Sequence, residues 1–194
     1  MTILKNLGLL AVLGAVLFGL LEVLIVTQIL DDYTLQILCM AGINIMVALS
    51  LNLISGFTGQ LALGHAGFLA VGAYSTGILL IAQVPFPLAV LGGACMTALL
   101  GFLIGFPALR LRGDYLAIVT LGVGEIIRVL IINLDGLTGG SAGLRNIPGY
   151  AANIMVNNPG AFLWIFPAVL LSVALVANLI RSSHGRALIS IRED

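Results

Sequence analysis

The sequence contains a run of 77 residues, from Tyr33 to Leu109, without one Asp, Glu, Lys or Arg. A second such run of 35 residues extends from Asn146 to Ile180. Charged residues make up only 8% of the chain, whereas a soluble domain has about 25% and needs them to cover its surface. The alternation of polar and apolar residues that is typical of a membrane β-barrel is absent. We therefore predict an all-α integral membrane protein.

The apolar segments are long enough for about six transmembrane helices, since a span needs about 20 residues. We place the spans at 7–29, 34–54, 66–82, 88–109, 115–134 and 161–180. Residues 135–160 then form a long outer loop, and residues 181–194 begin a cytoplasmic segment. Together, residues 1–180 form one transmembrane domain.

The basic residues predict the orientation of these spans. Alternate connections place six of them on one side, namely Lys5, Arg110, Arg112, Arg181, Arg186 and Arg192. The opposite side has only Arg145, together with Asp31, Asp32 and Asp135. Because Lys and Arg are concentrated in cytoplasmic loops, we predict that the N-terminus is cytoplasmic.

The segment near 56–65 interrupts two apolar spans with three glycines and several polar residues, among them Gln60 and His65. Irregular backbone at membrane depth is tolerated where it is buried in protein or lines a cavity. A broken or re-entrant segment would make Gln60 and His65 candidates for lining a translocation path. The alternative is an ordinary cytoplasmic turn.

Glu125 and Arg128 are three residues apart in the fifth span and so share one helix face. A charge at membrane depth is costly unless it is paired or faces a polar cavity. The two residues are therefore a structural ion pair or part of a translocation path, and the sequence leaves both interpretations open.

The outer loop contains the string GGSAG at 139–143, which matches the nucleophile pattern of serine hydrolases. That pattern requires a strand, a turn and a helix, and both histidines of the chain are predicted on the other side of the membrane. A glycine-rich turn is the better interpretation. Its residues Thr138, Gly139, Gly140 and Ser141 are candidates for contact with a partner or substrate.

Several other classes of function are disfavoured. The only lysine is Lys5, so no phosphate-binding P-loop is present, and ATP-driven transport would need a separate ATPase. The net charge of zero argues against nucleic acid as a partner. We predict no bound cofactor and no metal site, since Cys39 and Cys95 lie singly in apolar runs. The residues considered so far thus disfavour an enzyme.

Four stretches together resemble a known family: GQLALGHAGFLAVGAY at 59–74, RLRGDYLAIVTLGVGEIIR at 110–128, LTGGSAGL at 137–144 and GRALISIRED at 185–194. The sequence is similar to the LivM-type permeases of bacterial branched-chain amino acid ABC importers. The resemblance implies a multi-pass protein of the bacterial inner membrane. Its partners would be a second, LivH-like permease, two cytoplasmic ATPases that use the ATP, and an extracytoplasmic substrate-binding protein.

The resemblance also implies a role for the last stretch of the chain. In the family, this stretch leads into the cytoplasmic loop that contacts the ATPase. The matching positions here are Gly185, Arg186, Ala187, Arg192, Glu193 and Asp194. LivM-type permeases continue with further spans, so the resemblance predicts that these residues are the N-terminal part of a longer permease.

The leading hypothesis is therefore a permease subunit of an ABC importer for branched-chain amino acids. An alternative is an ion-coupled secondary carrier of amino acids, with Glu125, Arg128 and His65 as the coupling groups. A further alternative is a related ABC permease for urea or short amides. No residue in this sequence distinguishes that alternative from the leading hypothesis.

Overall fold

The structure is a computed structural model that describes Gly19 and residues 31–108, 111, 114–145, 147, 160–183, 185 and 187. Six α-helices lie in these ranges: α1 (Asp32–Leu51), α2 (His65–Ile81), α3 (Phe86–Ala108), α4 (Asp114–Asn133), α5 (Asp135–Thr138) and α6 (Gly160–Arg181). A π-helix, Asn52–Phe57, continues α1, and a 3-10 turn, Gly140–Ala142, follows α5. No strand occurs among the described residues, so the all-α prediction is confirmed.

Four helices in the described part of the chain are long and apolar enough to cross a membrane: Tyr33–Phe57, Phe86–Ala108, Tyr115–Asn133 and Trp164–Arg181. The helix His65–Ile81 is apolar but shorter, at 17 residues. These five helices lie at the predicted spans 34–54, 66–82, 88–109, 115–134 and 161–180. The predicted span 7–29 lies outside the described residues, apart from the helical Gly19. The chain is a multi-pass membrane protein.

The chain divides into two compact units, of which the first combines residues Met1–Leu53 with Asn153–Asp194. In this unit α1 packs against α6. Gly42 is one point of close contact on α1, because a Cβ atom built there would lie 2.7 Å from the Cγ2 atom of Ile165. Near the start of α6, the rings of Phe162 and Phe166 pack with their centroids 5.4 Å apart.

The second unit, Ile54–Ala152, contains α2, α3 and α4. Helices α2 and α3 form an antiparallel hairpin whose connection includes Gln83 with a positive φ of 63°. Gly93 of α3 allows close packing, since a Cβ atom there would lie 2.8 Å from the carbonyl oxygen of Gly72. On its other side, α3 exposes large apolar side chains such as Phe102, which is 70% exposed. Such a surface suits contact with lipid or with another membrane subunit.

The break predicted near 56–65 is present in the structure. The π-helix Asn52–Phe57 ends the preceding helix, and residues 58–64 are not helical. The hydroxyl of Thr58 donates a hydrogen bond of 2.5 Å to the carbonyl oxygen of Ile54, which holds the last helical turn together. The backbone N–H of Gly67 then bonds the carbonyl oxygen of Gly64 at the start of α2.

The broken segment packs against the flank of α4 rather than against its end. The N–H of Leu63 donates a hydrogen bond to Oγ1 of Thr120, six residues after Asp114, the first residue of α4. At a rise of about 1.5 Å per residue, this contact lies about 9 Å along that helix. Helix α2 therefore starts part-way along α4.

Glycines bring the two helices together at this point. A Cβ atom on Gly64 would overlap the carbonyl oxygen of Thr120, and one on Gly67 would lie 2.9 Å from the Cα atom of Gly124. Gly64 meets Thr120, and Gly67, which is later in the chain, meets Gly124. Because the contacts advance together along both helices, α2 and α4 run in the same direction. Contacts of this kind between small residues let helix backbones approach closely in a membrane.

Candidate functional site

A groove of about 340 Å³ lies between α2 and α4 in the second unit. Small and apolar side chains form most of its wall, with one charged pair and one tyrosine among them. The lining residues are Leu63, Ala66, Gly67, Ala70, Tyr74, Leu121, Gly124, Glu125, Arg128, Ile131 and Ile132.

Helical spacing explains why these residues meet. On α4, Leu121, Gly124, Glu125 and Arg128 follow one another at intervals of three, one and three residues, which places them on a single face. On α2, Ala66 and Ala70 are four residues apart and lie on the face toward α4. The side chains of α2 are short here, and they leave open the space that the groove occupies.

Glu125 and Arg128 form an ion pair within the groove. The Nη2 atom of Arg128 lies 2.5 Å from Oε1 of Glu125, and Nε lies 2.9 and 3.0 Å from Oε1 and Oε2. The two side chains are still 60% and 59% exposed. The geometry is that of a guanidinium fork on a carboxylate, which is stronger than a single neutral hydrogen bond.

The ion pair lies near the middle of its helix. Glu125 is eleven residues after Asp114 and eight residues before Asn133, the ends of the 20-residue helix α4. Such a helix is about 30 Å long, which matches the hydrocarbon thickness of a bilayer. Arg128 directs its guanidinium back toward Glu125 and hence toward the middle of the helix, so it does not extend to the headgroups.

The four residues predicted to line a translocation path have different positions. Glu125 and Arg128 pair with each other, as the structural interpretation expects, and they also line the groove. Their role in a translocation path stays a prediction. Gln60 lies in the non-helical segment and His65 begins α2, and neither is among the residues that line this groove. Their role in a path stays a prediction.

Sequence reasoning missed the apolar part of the groove. Ala66, Ala70 and Tyr74 are lining residues on α2 that the sequence analysis did not single out. The spacing of Ala66 and Ala70 was a usable signal, because small residues four apart mark a close approach of helices. Tyr74 is four residues after Ala70 and therefore continues the same helix face.

The glycine-rich segment after α4 folds around the side chain of Thr138. This residue is 4% exposed, and its hydroxyl lies 2.5 Å from the carbonyl oxygen of Ile131 and 2.8 Å from that of Leu134. The same oxygen accepts a hydrogen bond of 3.2 Å from the N–H of Gly140. The structure thus assigns Thr138 an internal role in the turn, whereas the neighbouring Ser141 is exposed.

The turn needs glycine at two of the predicted contact positions. Gly139 and Gly140 have positive φ angles of 72° and 57°. A Cβ atom on Gly140 would overlap the carboxylate of Asp135, and one on Gly139 would overlap the carbonyl oxygen of Gly143. These glycines therefore permit a compact turn.

The turn borders one end of the groove. A Cβ atom on Gly143 would lie 3.7 Å from the hydroxyl oxygen of Tyr74, which is a lining residue. At the same end, Thr138 bonds the carbonyl oxygen of Ile131, another lining residue. The outer turn and the groove are thus parts of one continuous structure within the second unit.

The predicted coupling residues are described in part. The N–H of Gly185 donates a hydrogen bond of 3.2 Å to Oγ of Ser182, three residues earlier, which is the geometry of a helix N-cap. Gly185 is buried and Ala187 is exposed. Arg186, Arg192, Glu193 and Asp194 lie outside the described residues.

Comparison with known proteins places the chain in a family. A family model described as "Branched-chain amino acid transport system / permease component" matches residues 33–194. The chain belongs to this family. The match includes the broken segment, the groove between α2 and α4 and the outer turn. The resemblance to the LivM-type permeases that the four sequence stretches indicated is therefore confirmed.

Two curated relatives of this permease family are both named "High-affinity branched-chain amino acid transport system permease protein LivM". They come from Escherichia coli strain K12 and Salmonella typhimurium strain LT2. Each is 38% identical over 191 aligned positions, which cover 83% of this chain and 44% of the relative. The chain thus spans less than half of the length of these relatives. No solved structure is significantly similar to it.

Proposed function

We propose that the chain is a membrane-spanning part of a permease subunit in an ABC importer for branched-chain amino acids. The observation that carries this proposal is the family match over residues 33–194. The curated relatives named LivM support the substrate class. The ion-coupled carrier and the permease for urea or short amides are not favoured by these relatives.

The proposed partners follow from the same family membership. A second, LivH-like permease completes the translocation path, an extracytoplasmic protein delivers the substrate, and two ATPase subunits use the ATP. The sequence supports this division of labour, because it has no P-loop lysine. The chain itself holds no cofactor in this proposal and performs no catalysis.

The proposed orientation places the N-terminus in the cytoplasm of a bacterium and residues 135–160 outside the inner membrane. The distribution of Lys and Arg supports it. Helices α2 and α4 then both run outward, since they are parallel and the turn at 138–143 borders the end of the groove that Tyr74 and Ile131 line. The groove would be continuous with the outer surface where the substrate arrives.

The proposed coupling begins after α6. The hydrogen bond from the N–H of Gly185 to Oγ of Ser182 supports the start of a new helix in the stretch that the family uses to contact its ATPase. Force on this segment would tilt helices as rigid bodies and open the path alternately to each side. In this proposal the residues Gly185, Arg186, Ala187, Arg192, Glu193 and Asp194 form the docking stretch.

The experiment that tests the proposal is uptake of labelled leucine into proteoliposomes that contain the complete permease and its partner subunits. We expect uptake to require ATP and the binding protein, and to continue after an ionophore has collapsed the proton gradient. Equal uptake without ATP would overturn the proposal. Loss of uptake after collapse of the gradient, with ATP still present, would favour the ion-coupled carrier instead.

A further inference from the structure

We propose that the groove between α2 and α4 is a binding site for the zwitterionic head and the aliphatic side chain of a free amino acid. The ion pair Glu125–Arg128 takes the two charges of the head, and the small residues Ala66 and Ala70 leave room for the side chain. The inference rests on the proposed function and adds to it the atoms that contact the substrate.

The first step concerns where the ion pair can be placed in a membrane. Glu125 and Arg128 lie near the midpoint of α4, and about 60% of each side chain is uncovered. An ionised side chain at this depth faces a water-filled cavity or a protein partner rather than lipid. The pair lines the groove, which is such a cavity in this proposal.

The second step concerns the donors that the pair leaves for a ligand. A guanidinium has five N–H donors, and Arg128 contacts Glu125 through Nε and Nη2. The Nη1 group lies outside these contacts. A ligand carboxylate that approaches Nη1 and Nη2 makes two parallel hydrogen bonds of the kind that arginine favours. The Glu125 carboxylate accepts hydrogen bonds from an ammonium group at the same time.

The third step concerns charge balance. The ion pair is neutral as a whole, and so is a free amino acid with an ammonium and a carboxylate on one carbon atom. When such a ligand enters, its carboxylate meets the guanidinium and its ammonium group meets the Glu125 carboxylate, so no net charge is added at membrane depth. A simple amine or a simple acid would leave one charge uncompensated, which is unfavourable there. The pair therefore selects zwitterions.

The fourth step concerns size and polarity. The groove holds about 340 Å³, which is at the small end of the range for ligand sites. Beside the ion pair, its wall is formed by the alanines of α2 and by apolar residues such as Leu121 and Ile131. A branched aliphatic side chain buries its surface against such a wall.

The charge step is tested with the complete permease and its partner subunits in proteoliposomes. The double variant E125Q/R128Q removes both charges and leaves no single charge at membrane depth. We expect it to assemble with its partners and to take up leucine about tenfold more slowly or worse, because charge-assisted hydrogen bonds to the substrate are lost. Uptake at the wild-type rate would show that the pair is only structural and would overturn the inference.

The size step uses Ala70→Phe, which narrows the groove, with the binding protein saturated by substrate in every reaction. We expect the ratio of leucine uptake to valine uptake to fall about tenfold, because the larger side chain is excluded first. Ala98→Phe on the exposed surface of α3 is the matched control and should leave the ratio unchanged. An unchanged ratio of leucine uptake to valine uptake in Ala70→Phe would overturn the inference. This second test remains decisive if the E125Q/R128Q variant fails to assemble.

A second membrane helix is the competing occupant of the groove. In that case Ala70→Phe would abolish co-purification of the second permease, and the inference would be wrong. Failure of the proposed function has a different signature, since the wild-type complex itself would then show no ATP-dependent uptake of leucine.

Discussion

The backbone N–H of Leu63 donates a hydrogen bond of 3.1 Å to the hydroxyl oxygen of Thr120, a residue 57 positions later in the chain. The same hydroxyl donates to the carbonyl oxygen of Ala117 over 3.0 Å. Thr120 thus serves as donor within its own helix and as acceptor for the broken segment. The contact fixes the position along α4 at which α2 begins. It thereby also fixes the end of the groove that Leu63 lines.

Replacement of Thr120 by Val should therefore destabilise the second unit. The N–H of Leu63 would lose its acceptor, at a cost of about 1 kcal/mol. Thermal unfolding of the purified permease in detergent measures the effect as a lower melting temperature. Thr120→Ser keeps the hydroxyl and should unfold near the wild-type temperature. Equal melting temperatures for the Thr120→Val and Thr120→Ser variants would contradict this role of the hydroxyl.

Gly64→Ala should have a larger effect than the loss of this hydrogen bond. The new Cβ atom would overlap the carbonyl oxygen of Thr120, and backbone atoms cannot move aside as a side chain can. Overpacking of this kind costs about 1–3 kcal/mol. The readout is the yield of monodisperse protein on size-exclusion chromatography.

Gly122→Ala is the matched control for Gly64→Ala. Gly122 lies on α4 close to the same crossing, but a Cβ atom there meets nothing within 4 Å. Alanine is also a better helix former than glycine. We expect a yield at least equal to that of the wild type, and a similar loss in both variants would show that the crossing is not the cause.

Thr138→Val should weaken the outer turn. The N–H of Gly140 would lose a buried acceptor, at a cost of about 1–3 kcal/mol. Hydrogen exchange of the amides at 138–143 should become faster in this variant. Ser141→Ala alters an exposed neighbour in the same turn and should leave the exchange rates unchanged. Equal protection in both variants would mean that the Thr138 hydroxyl does not hold the turn.

Arg186→Glu should reduce binding of the ATPase subunits, because it reverses the charge in the proposed docking stretch. Co-purification of the ATPases with a tagged permease measures the effect. Arg145→Glu makes the same exchange on the opposite side of the membrane in the proposed orientation and should leave co-purification unchanged. Undiminished co-purification with Arg186→Glu would argue against a docking role for this residue.

The sequence predicted those features that depend on local pattern. The charge-free run from Tyr33 to Leu109 indicated membrane helices, and glycines with polar residues near 56–65 indicated the break. The spacing of Glu125 and Arg128 placed both on one helix face. Each of these inferences needs only neighbours in the chain, and the helical structure contains all three features.

Features that depend on distant residues could not be predicted. The contact of Leu63 with Thr120 and that of Gly67 with Gly124 set the stagger of two helices, and no local pattern encodes a stagger. Polar character directed attention to Gln60 and His65, whereas the groove is lined mainly by small and apolar residues. Tyr74 shares a helix face with Ala70, but only the packing of α2 beside α4 makes that face a wall of the groove.

The ion pair on α4 also bears on how the protein is made. Glu125 and Arg128 are three residues apart on one helix, so the pair forms as soon as that helix forms and needs no neighbouring segment. A nascent helix with a lone charge is poorly accepted by the bilayer. We therefore expect helix α4 to insert with its two charges already paired, without a partner group from α2.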